Sequence, residues 1–456
     1  MSSSTAVSVE RTGKRHPAGV TLGALALGFV MATLDATVVN IAGPGISAGL
    51  HLSLSGLTWA IDGYTLTFAS LLLLSGSLAN RVGAKRMYLA GLAVFAIASA
   101  VCGFAVSGGM LVGARMLQGV GAGMFMPSSL SLLVFSFPEP GRRARMLGLW
   151  AAIVSISAGL GPVVGGILVD TLGWRSIFMV NIPIGLAGFL LAQRIVSAPP
   201  AIPVRVTVLS HAVGILTLAA VCFTLIEGPV YGWGSAPIIG SAVFALCAAT
   251  VFVLRERRAV LPIIPRELLR DRVFTASNAI GFLINFGCFG GIFLLGLFFQ
   301  NARGARPFTA GLELLPIMGI FLIGNLIFAR IGDRVSARRV MLIGLPAGAL
   351  GAVSLTLLSP GTPYWLIVVV MGVVHLGVGI SVPAMTTGLM SAAGPSHANI
   401  AGASLNANRQ MGTLVGVAVA GALFAIAGWY GGAADDFGVM AGCYVLAALL
   451  AWRFIR

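Results

Sequence analysis

Apolar runs of about 20 residues recur along the whole chain and are separated by short segments that carry Arg, Pro, Ser or Gly. A helix of that length spans the hydrocarbon core of a bilayer, which is roughly 30 Å thick. Only 9% of the residues are charged, against roughly 25% in an average soluble domain, so the chain cannot cover itself with a polar surface. Because backbone polar groups must be satisfied internally in lipid, the runs are predicted to be transmembrane helices.

The chain contains fourteen such runs. The first is too long for the core of a signal peptide and contains Asp35, so it is predicted to be a retained helix. The predicted helices lie near 19–44, 54–80, 86–106, 109–135, 144–169, 173–193, 207–227, 236–254, 273–299, 309–330, 340–358, 364–390, 399–428 and 437–454.

Basic residues concentrate in the loops that share a side with the N-terminus. On the other side, the loops contain only Arg175, Arg303 and Arg306. This bias predicts that both termini are cytoplasmic. The formal net charge of +15 therefore indicates membrane orientation, and no nucleic-acid partner is expected, because the basic residues sit in short loops between apolar runs.

Two loops repeat one sequence pattern. The loop after helix two contains Asn80-Arg81-Val82-Gly83, and the loop after helix ten contains Asp333-Arg334-Val335-Ser336. The copies are eight helices apart, so two six-helix bundles with an additional helix pair inserted between them are predicted. The inserted pair is expected to be peripheral to the transport path. The predicted units are a cytoplasmic tail 1–18, an N-terminal bundle 19–200, two linker helices with a cytoplasmic loop 201–272, and a C-terminal bundle 273–456.

Four further motifs accompany the repeat. Helix one contains the segment 34–42 around Asp35, helix two contains 59–66, helix four contains 115–123, and helix five contains 159–166 with Gly161, Pro162 and Gly165. With these motifs the chain resembles the major facilitator superfamily, specifically its fourteen-helix drug/proton antiporter branch of the EmrB/QacA type. The resemblance implies an all-α integral membrane protein with the major facilitator fold.

The resemblance also implies a function. It is proton-coupled export of small, largely apolar or cationic drugs or antibiotics across the bacterial plasma membrane by alternating access. The expected partners are the substrate, protons and the lipid bilayer, and the expected state is a monomer. No enzymatic activity, cofactor or metal is expected, and no GxxxxGK[ST] phosphate loop is present. Two alternatives stay open: a narrow exporter of one endogenous metabolite, and a membrane sensor that transports nothing.

Charges inside the apolar runs are the strongest candidates for function, because an ionised side chain at the bilayer centre costs several kcal/mol. Asp35 and Asp62 are predicted to lie at a similar depth, and Arg115 enters from the same side. A carboxylate and the guanidinium are therefore expected to pair in the first bundle. The two acids are the candidates for proton coupling, and Arg115 is expected to position a carboxylate and tune its proton affinity.

The second bundle offers five candidates for a substrate cavity. Asn406, Arg409 and Gln410 resemble a family pattern on helix thirteen. His375 matches no such pattern and is interpreted either as a cavity residue or as a satisfied core histidine. Glu313, near the start of helix ten, is likewise unexplained by the resemblance.

The gating candidates fall into two groups. Gly161, Pro162 and Gly165 allow close helix approach and a bend, so helix five is expected to flex or to seal against a neighbour. In the loops, the first copy has Asn80 where the family usually has an acid, and an uncharged side chain forms a weaker bond to a basic neighbour. The loop candidates are Gly76, Asn80, Arg81, Gly83, Arg86, Asp333 and Arg334.

The positive-inside bias predicts that both termini and the basic loop 255–272 lie in the cytoplasm. Reporter enzymes that are active in only one compartment, fused at the C-terminus and within this loop, should both report the cytoplasm. A reporter in the loop that is active outside the cell would contradict the fourteen-helix arrangement.

Overall fold

A computed structural model describes residues 17–137, 139–197, 208–259, 262–332 and 334–455. The predicted tail and the predicted domain boundary at 200 lie outside the described residues, as does Asp333. In this part of the chain all regular structure is helical, which confirms the predicted fold class.

Thirteen helices are long and apolar enough to cross a membrane, and Leu54–Val82, with 29 residues, is the fourteenth of membrane length. In chain order α1 to α14 are Ala18–Leu50, Leu54–Val82, Ala84–Gly103, Gly108–Ser136, Pro140–Leu172, Ser176–Ile195, Val208–Tyr231, Ala236–Arg258, Arg272–Ala302, Pro307–Ile331, Ala337–Leu355, Tyr364–Gly394, Ile400–Ile426 and Ala433–Phe454. A short helix, Arg266–Arg270, precedes α9.

Several predicted helix ends differ from the structure by three or more residues, and two of these differences have a clear local cause. The prediction ended α1 near 44, yet the helix continues through Pro44 to Leu50 and ends at His51, whose φ is 51°. Proline removes one backbone bond and, in apolar surroundings, bends a helix without always ending it. The prediction began α6 at 173, but Gly173 has a φ of +80° and caps α5. Helix α6 therefore starts at Ser176.

The last three spans belong to one helical stretch of 91 residues, Tyr364–Phe454. A straight helix of that length would extend about 135 Å, several times the thickness of a bilayer. Gly394, with a left-handed φ of +67°, ends the first of the three spans.

The two bundles repeat one design. In the first bundle, Lys85 Nζ donates to the Gln193 carbonyl near the end of α6 at 2.8 Å. In the second, Arg338 donates to the Trp452 carbonyl near the end of α14, also at 2.8 Å. Lys85 and Arg338 occupy the same position in the two loop motifs. Each bundle thus ties its repeated loop to the end of its last helix.

Helices α7 and α8 are inserted between the bundles in sequence and lie at one side in space. Buried Cys222 and Ile226 of α7 form one apolar cluster with Leu66 of α2 and with Leu414 and Ala418 of α13. α7 therefore covers the seam between α2 and α13. Its exclusion from the transport path stays a prediction.

The two bundles are in close contact at α5 and α10. The contact lies in the halves of these helices on the side of the molecule opposite to the two chain termini. A Cβ at Gly166 would lie 2.7 Å from the Pro307 carbonyl oxygen, and one at Gly311 would overlap the Pro162 carbonyl oxygen. Arg306 forms an ion pair with Asp170 at 3.3 Å. Glycine thus permits backbone contact across the interface at this level.

Gly311→Ala should push α5 and α10 apart, because the atoms nearest to the added methyl are backbone atoms of Pro162 and Val163. Cysteines at positions 170 and 306, in a chain without its five native cysteines, should then form a disulfide in lower yield. Gly319→Ala on the same helix is the matched control, because nothing lies within 4 Å of its added methyl. An unchanged yield in Gly311→Ala would contradict this contact.

Candidate functional site

A buried ion pair occupies the middle of the first bundle. Asp35 of α1 is 3% exposed and Arg115 of α4 is 0% exposed. Nη1 of Arg115 donates to Oδ2 of Asp35. Nε of Arg115 donates to the Ala60 carbonyl of α2 at 2.9 Å. The predicted pair of a carboxylate and a guanidinium therefore forms, and Asp35 is the acid.

Two amide side chains complete the coordination of Asp35. Asn181 Nδ2 donates to Oδ1 of Asp35 at 2.9 Å, and Gln118 Nε2 donates to the same oxygen at 3.2 Å. Gln118 also accepts from Nη1 of Arg115 at 2.9 Å and donates to Ser99 Oγ at 2.7 Å. Gln118 and Asn181 were not among the predicted site residues. Gln118 lies inside the motif 115–123 and Asn181 lies in a predicted helix, so a polar side chain in an apolar run was the signal that could have identified both.

Aromatic rings enclose the guanidinium. Its Cζ lies 4.5 Å from the centroid of Tyr64 and 5.8 Å from that of Phe178. A cation in contact with ring faces gains electrostatic stabilisation that is larger where water is excluded. The guanidinium is therefore hydrogen-bonded through Nε and Nη1 and closed to water, while its Nη2 has no acceptor among the described residues.

The glycine motif of α5 packs against α1 close to Asp35. A Cβ at Gly161 would overlap the Thr37 side chain, and a Cβ at Gly165 would lie 2.9 Å from Val38 Cγ1. Thr37 is two residues from Asp35. At the next residue, the Pro162 carbonyl abuts Gly311 of α10. One short segment of α5 thus touches both the helix that carries Asp35 and the opposite bundle.

Asp62 does not share the guanidinium, although the sequence placed it at a similar depth. The residue is 0% exposed, and within the described chain neither carboxylate oxygen has a hydrogen-bond partner. It lies close enough to the thiol of Cys222 on α7 for an electrostatic interaction. Asp62 is therefore close to α7 and is not bonded to Arg115.

The second bundle holds its candidates in different surroundings. His375 is 1% exposed, its Nδ1 lies 3.0 Å from the Met371 carbonyl oxygen, and its Nε2 lies 3.9 Å from Cys288 Sγ. These contacts place it in the core of the bundle. Glu313 is half-buried, and its Oε2 is enclosed without a partner in the described chain.

Asn406, Arg409 and Gln410 share one face of α13 and are half-buried. The ion pairs between described residues are those of Asp35 with Arg115 and of Asp170 with Arg306, so Arg409 is unpaired in this part of the structure.

The loop candidates are partly described. Gly83 has a φ of +104° and joins α2 to α3, a conformation that favours glycine. Arg81, Arg86 and Arg334 are exposed. The side chains of Gly76 and Asn80 lie outside the described part, as does Asp333, so the predicted gate contact between the acid and its basic neighbours stays a prediction.

A family model described as Major Facilitator Superfamily matches residues 25–412. The chain belongs to the major facilitator superfamily. Members of this superfamily are membrane transporters, so the expectation that the protein is not an enzyme is confirmed. The predicted family and fold class are confirmed as well.

Similar proteins of this superfamily include resistance proteins. The chain is 50% identical to a methylenomycin A resistance protein of Streptomyces coelicolor over 97% of this chain and 94% of that one. It is 51% identical to a methylenomycin A resistance protein of Bacillus subtilis over 94% and 93% of the two chains. A tetracenomycin C resistance and export protein of Streptomyces glaucescens is 33% identical over 91% and 77%.

Among solved structures, the chain is similar to a POT family transporter in complex with a thioalcohol-conjugated peptide. The TM-score is 0.71 over 96% of this chain and 95% of that one, with 14% sequence identity. At this identity the likeness shows the fold alone.

Asp35→Leu should destabilise this major facilitator protein by about 3–5 kcal/mol, because it leaves the buried guanidinium of Arg115 without its counter-charge. The melting temperature of the purified protein in detergent measures the loss. Asp62→Leu is the matched control and should cause no comparable loss, because Asp62 has no partner within the described chain to leave behind. Equal losses in the two variants would contradict the structural role of the pair.

Proposed function

We propose that the protein exports small antibiotic-type molecules from the bacterial cytoplasm in exchange for protons. Two lines support this. Relatives named as resistance proteins align over nearly the whole of both chains. A buried carboxylate bonded to an intramembrane guanidinium lies beside the bundle interface. The second observation carries the proton coupling.

In the proposed mechanism, Asp35 alternates between two protonation states. The ionised carboxylate accepts from Arg115, Gln118 and Asn181. Protonation removes its charge, and hydrogen bonds that involve an ion are roughly twice as strong as neutral ones. The proton therefore weakens the attachment of α1 to its neighbours and changes the relative stability of the two conformations.

The glycine motif of α5 gives that change a route to the bundle interface. Gly161 lies against Thr37 of α1, and the Pro162 carbonyl lies against Gly311 of α10. A displacement of α1 near Asp35 would therefore shift α5 and change its contact with α10. We assign the gating role of Gly161, Pro162 and Gly165 to this contact.

The orientation follows from the loop charges. With both termini in the cytoplasm, as the basic loops indicate, the α5–α10 contact would close the outer side, and the substrate would enter from the cytoplasm. One chain contains both bundles, so a monomer is sufficient for alternating access.

A narrow exporter is the second candidate. The relatives at half identity are each named for resistance to a single antibiotic, which supports a small range of substrates. A sensor that transports nothing finds no such support.

Asp35→Asn should abolish proton-driven export and retain the fold with a smaller loss of stability than Asp35→Leu, because Asn removes the counter-charge but keeps a carbonyl acceptor for Arg115, and it cannot exchange a proton. The assay uses purified protein in proteoliposomes with an imposed pH gradient, methylenomycin A, tetracenomycin C and ethidium as test substrates, and a pH-sensitive dye.

Asp62→Asn is the matched acid-to-amide control and should alter export less. Full export against a gradient by Asp35→Asn, with unchanged proton movement, would refute the assignment and make Asp62 or Glu313 the leading candidate.

A further inference from the structure

We propose that Arg409, flanked by Asn406 and Gln410, binds an anionic group of the transported molecule, and that the substrate class is small organic carboxylates with an apolar body. This inference rests on the transport function proposed above and adds the charge of the substrate.

The two arginines inside the bundles differ in one respect. Arg115 donates to Asp35, to Gln118 and to the Ala60 carbonyl. The side chain of Arg409 makes no hydrogen bond or ion pair within the described chain, and its Nε is enclosed without an acceptor. Enclosing an ion without a partner is unfavourable, even where part of the residue stays exposed. Nη2 of Arg115 is also enclosed without an acceptor among the described residues, but Arg115 has a carboxylate partner and two further acceptors, whereas Arg409 has none of these in that part of the chain.

The backbone of α13 fixes Arg409 at this depth. Cβ atoms at Gly412 and Gly416 would overlap the carbonyl oxygens of Phe282 and Phe286 on α9, so the two helices are in direct backbone contact. Arg409 is nine residues from Ile400, or about 13 Å along the helix, which is too far for the side chain to reach the lipid headgroups easily. A negatively charged partner of Arg409 must therefore enter the bundle.

The stem of Arg409 packs against α9, and part of the residue stays exposed. Gly281 of α9 leaves room for the side-chain stem, since a Cβ there would lie 3.4 Å from Arg409 Cγ. The same position faces Leu405 and Met385, which are apolar. Arg409 is half-buried, so part of its surface is reachable.

The polar groups nearby supply no negative charge. Asn406 and Gln410 are uncharged, and the thiol of Cys288 is the group that interacts electrostatically with the guanidinium. One planar guanidinium with amide donors beside it matches a monocarboxylate, which it can bind through two parallel hydrogen bonds. A cationic substrate would meet a like charge here, so the structure favours an anion over the cationic drugs expected from the resemblance.

The test compares three probes with the same ring and different charge: 1-naphthoate, 1-naphthamide and 1-naphthylmethylammonium. Binding to the purified full-length protein and proton-coupled transport in proteoliposomes are measured for wild type, Arg409→Gln, Arg409→Lys and the exposed control Arg270→Gln. Melting temperatures verify that each variant is folded.

Wild type should prefer 1-naphthoate. Arg409→Gln should weaken its binding roughly 30-fold or more, without changing the binding of the amide. Arg409→Lys should retain the preference for the anion in weakened form, and Arg270→Gln should behave as wild type.

The inference is overturned if wild type prefers the amide or the ammonium probe, or if Arg409→Gln binds 1-naphthoate as wild type does. It is also overturned if chloride raises the melting temperature of wild type and the loss of this effect is the only change that Arg409→Gln causes. The arginine would then hold an inorganic counter-ion. If the inference about Arg409 fails but the neutral or cationic probe is still transported in exchange for protons, the proposed export function is retained. Failure of all probes and test antibiotics to move protons would instead refute the export function itself.

Discussion

A guanidinium inside a membrane needs acceptors for five N–H donors, and the first bundle is arranged around this need at Arg115. Helix α1 supplies Asp35, α2 supplies the Ala60 carbonyl, and α4 supplies Gln118. Through Gln118 and Asp35, the network extends to α3 and α6. Helix α5 joins by packing its glycines against α1. Five helices of the bundle are therefore linked by hydrogen bonds through one network around a buried charge, and α5 packs against it.

The two bundles share a backbone design and differ in electrostatics. Their repeated loops bind the ends of the last helices in the same way, but among the described residues the first bundle neutralises its arginine and the second does not. A satisfied pair that contains a titratable carboxylate is suited to a proton, because protonation alone changes its strength. An unsatisfied guanidinium is suited to a ligand. This difference supports the two proposals, which place the proton site in the first bundle and the substrate site in the second.

Hydropathy and motif content were enough to predict the helices, the inserted pair and the presence of a buried ion pair. They could not decide whether Asp35 or Asp62 pairs with Arg115, because depth along a helix does not determine which way a side chain faces. Asp62 lies close to α7. Gln118 and Asn181 were missed for the same reason, since an amide in an apolar run reveals its role only through its partner. The continuation of α1 past Pro44 depends on apolar surroundings that a local proline rule ignores.

Proton coupling in the proposed transporter depends on Asp35 as the group that takes up and releases the proton. Infrared difference spectroscopy of the purified protein, in the carboxylic acid C=O region and between acidic and neutral buffer, observes that event directly. One component of the protonated carboxyl band should be lost in Asp35→Asn and retained in Asp62→Asn. A band that persists in Asp35→Asn and disappears in Asp62→Asn would contradict the role of Asp35.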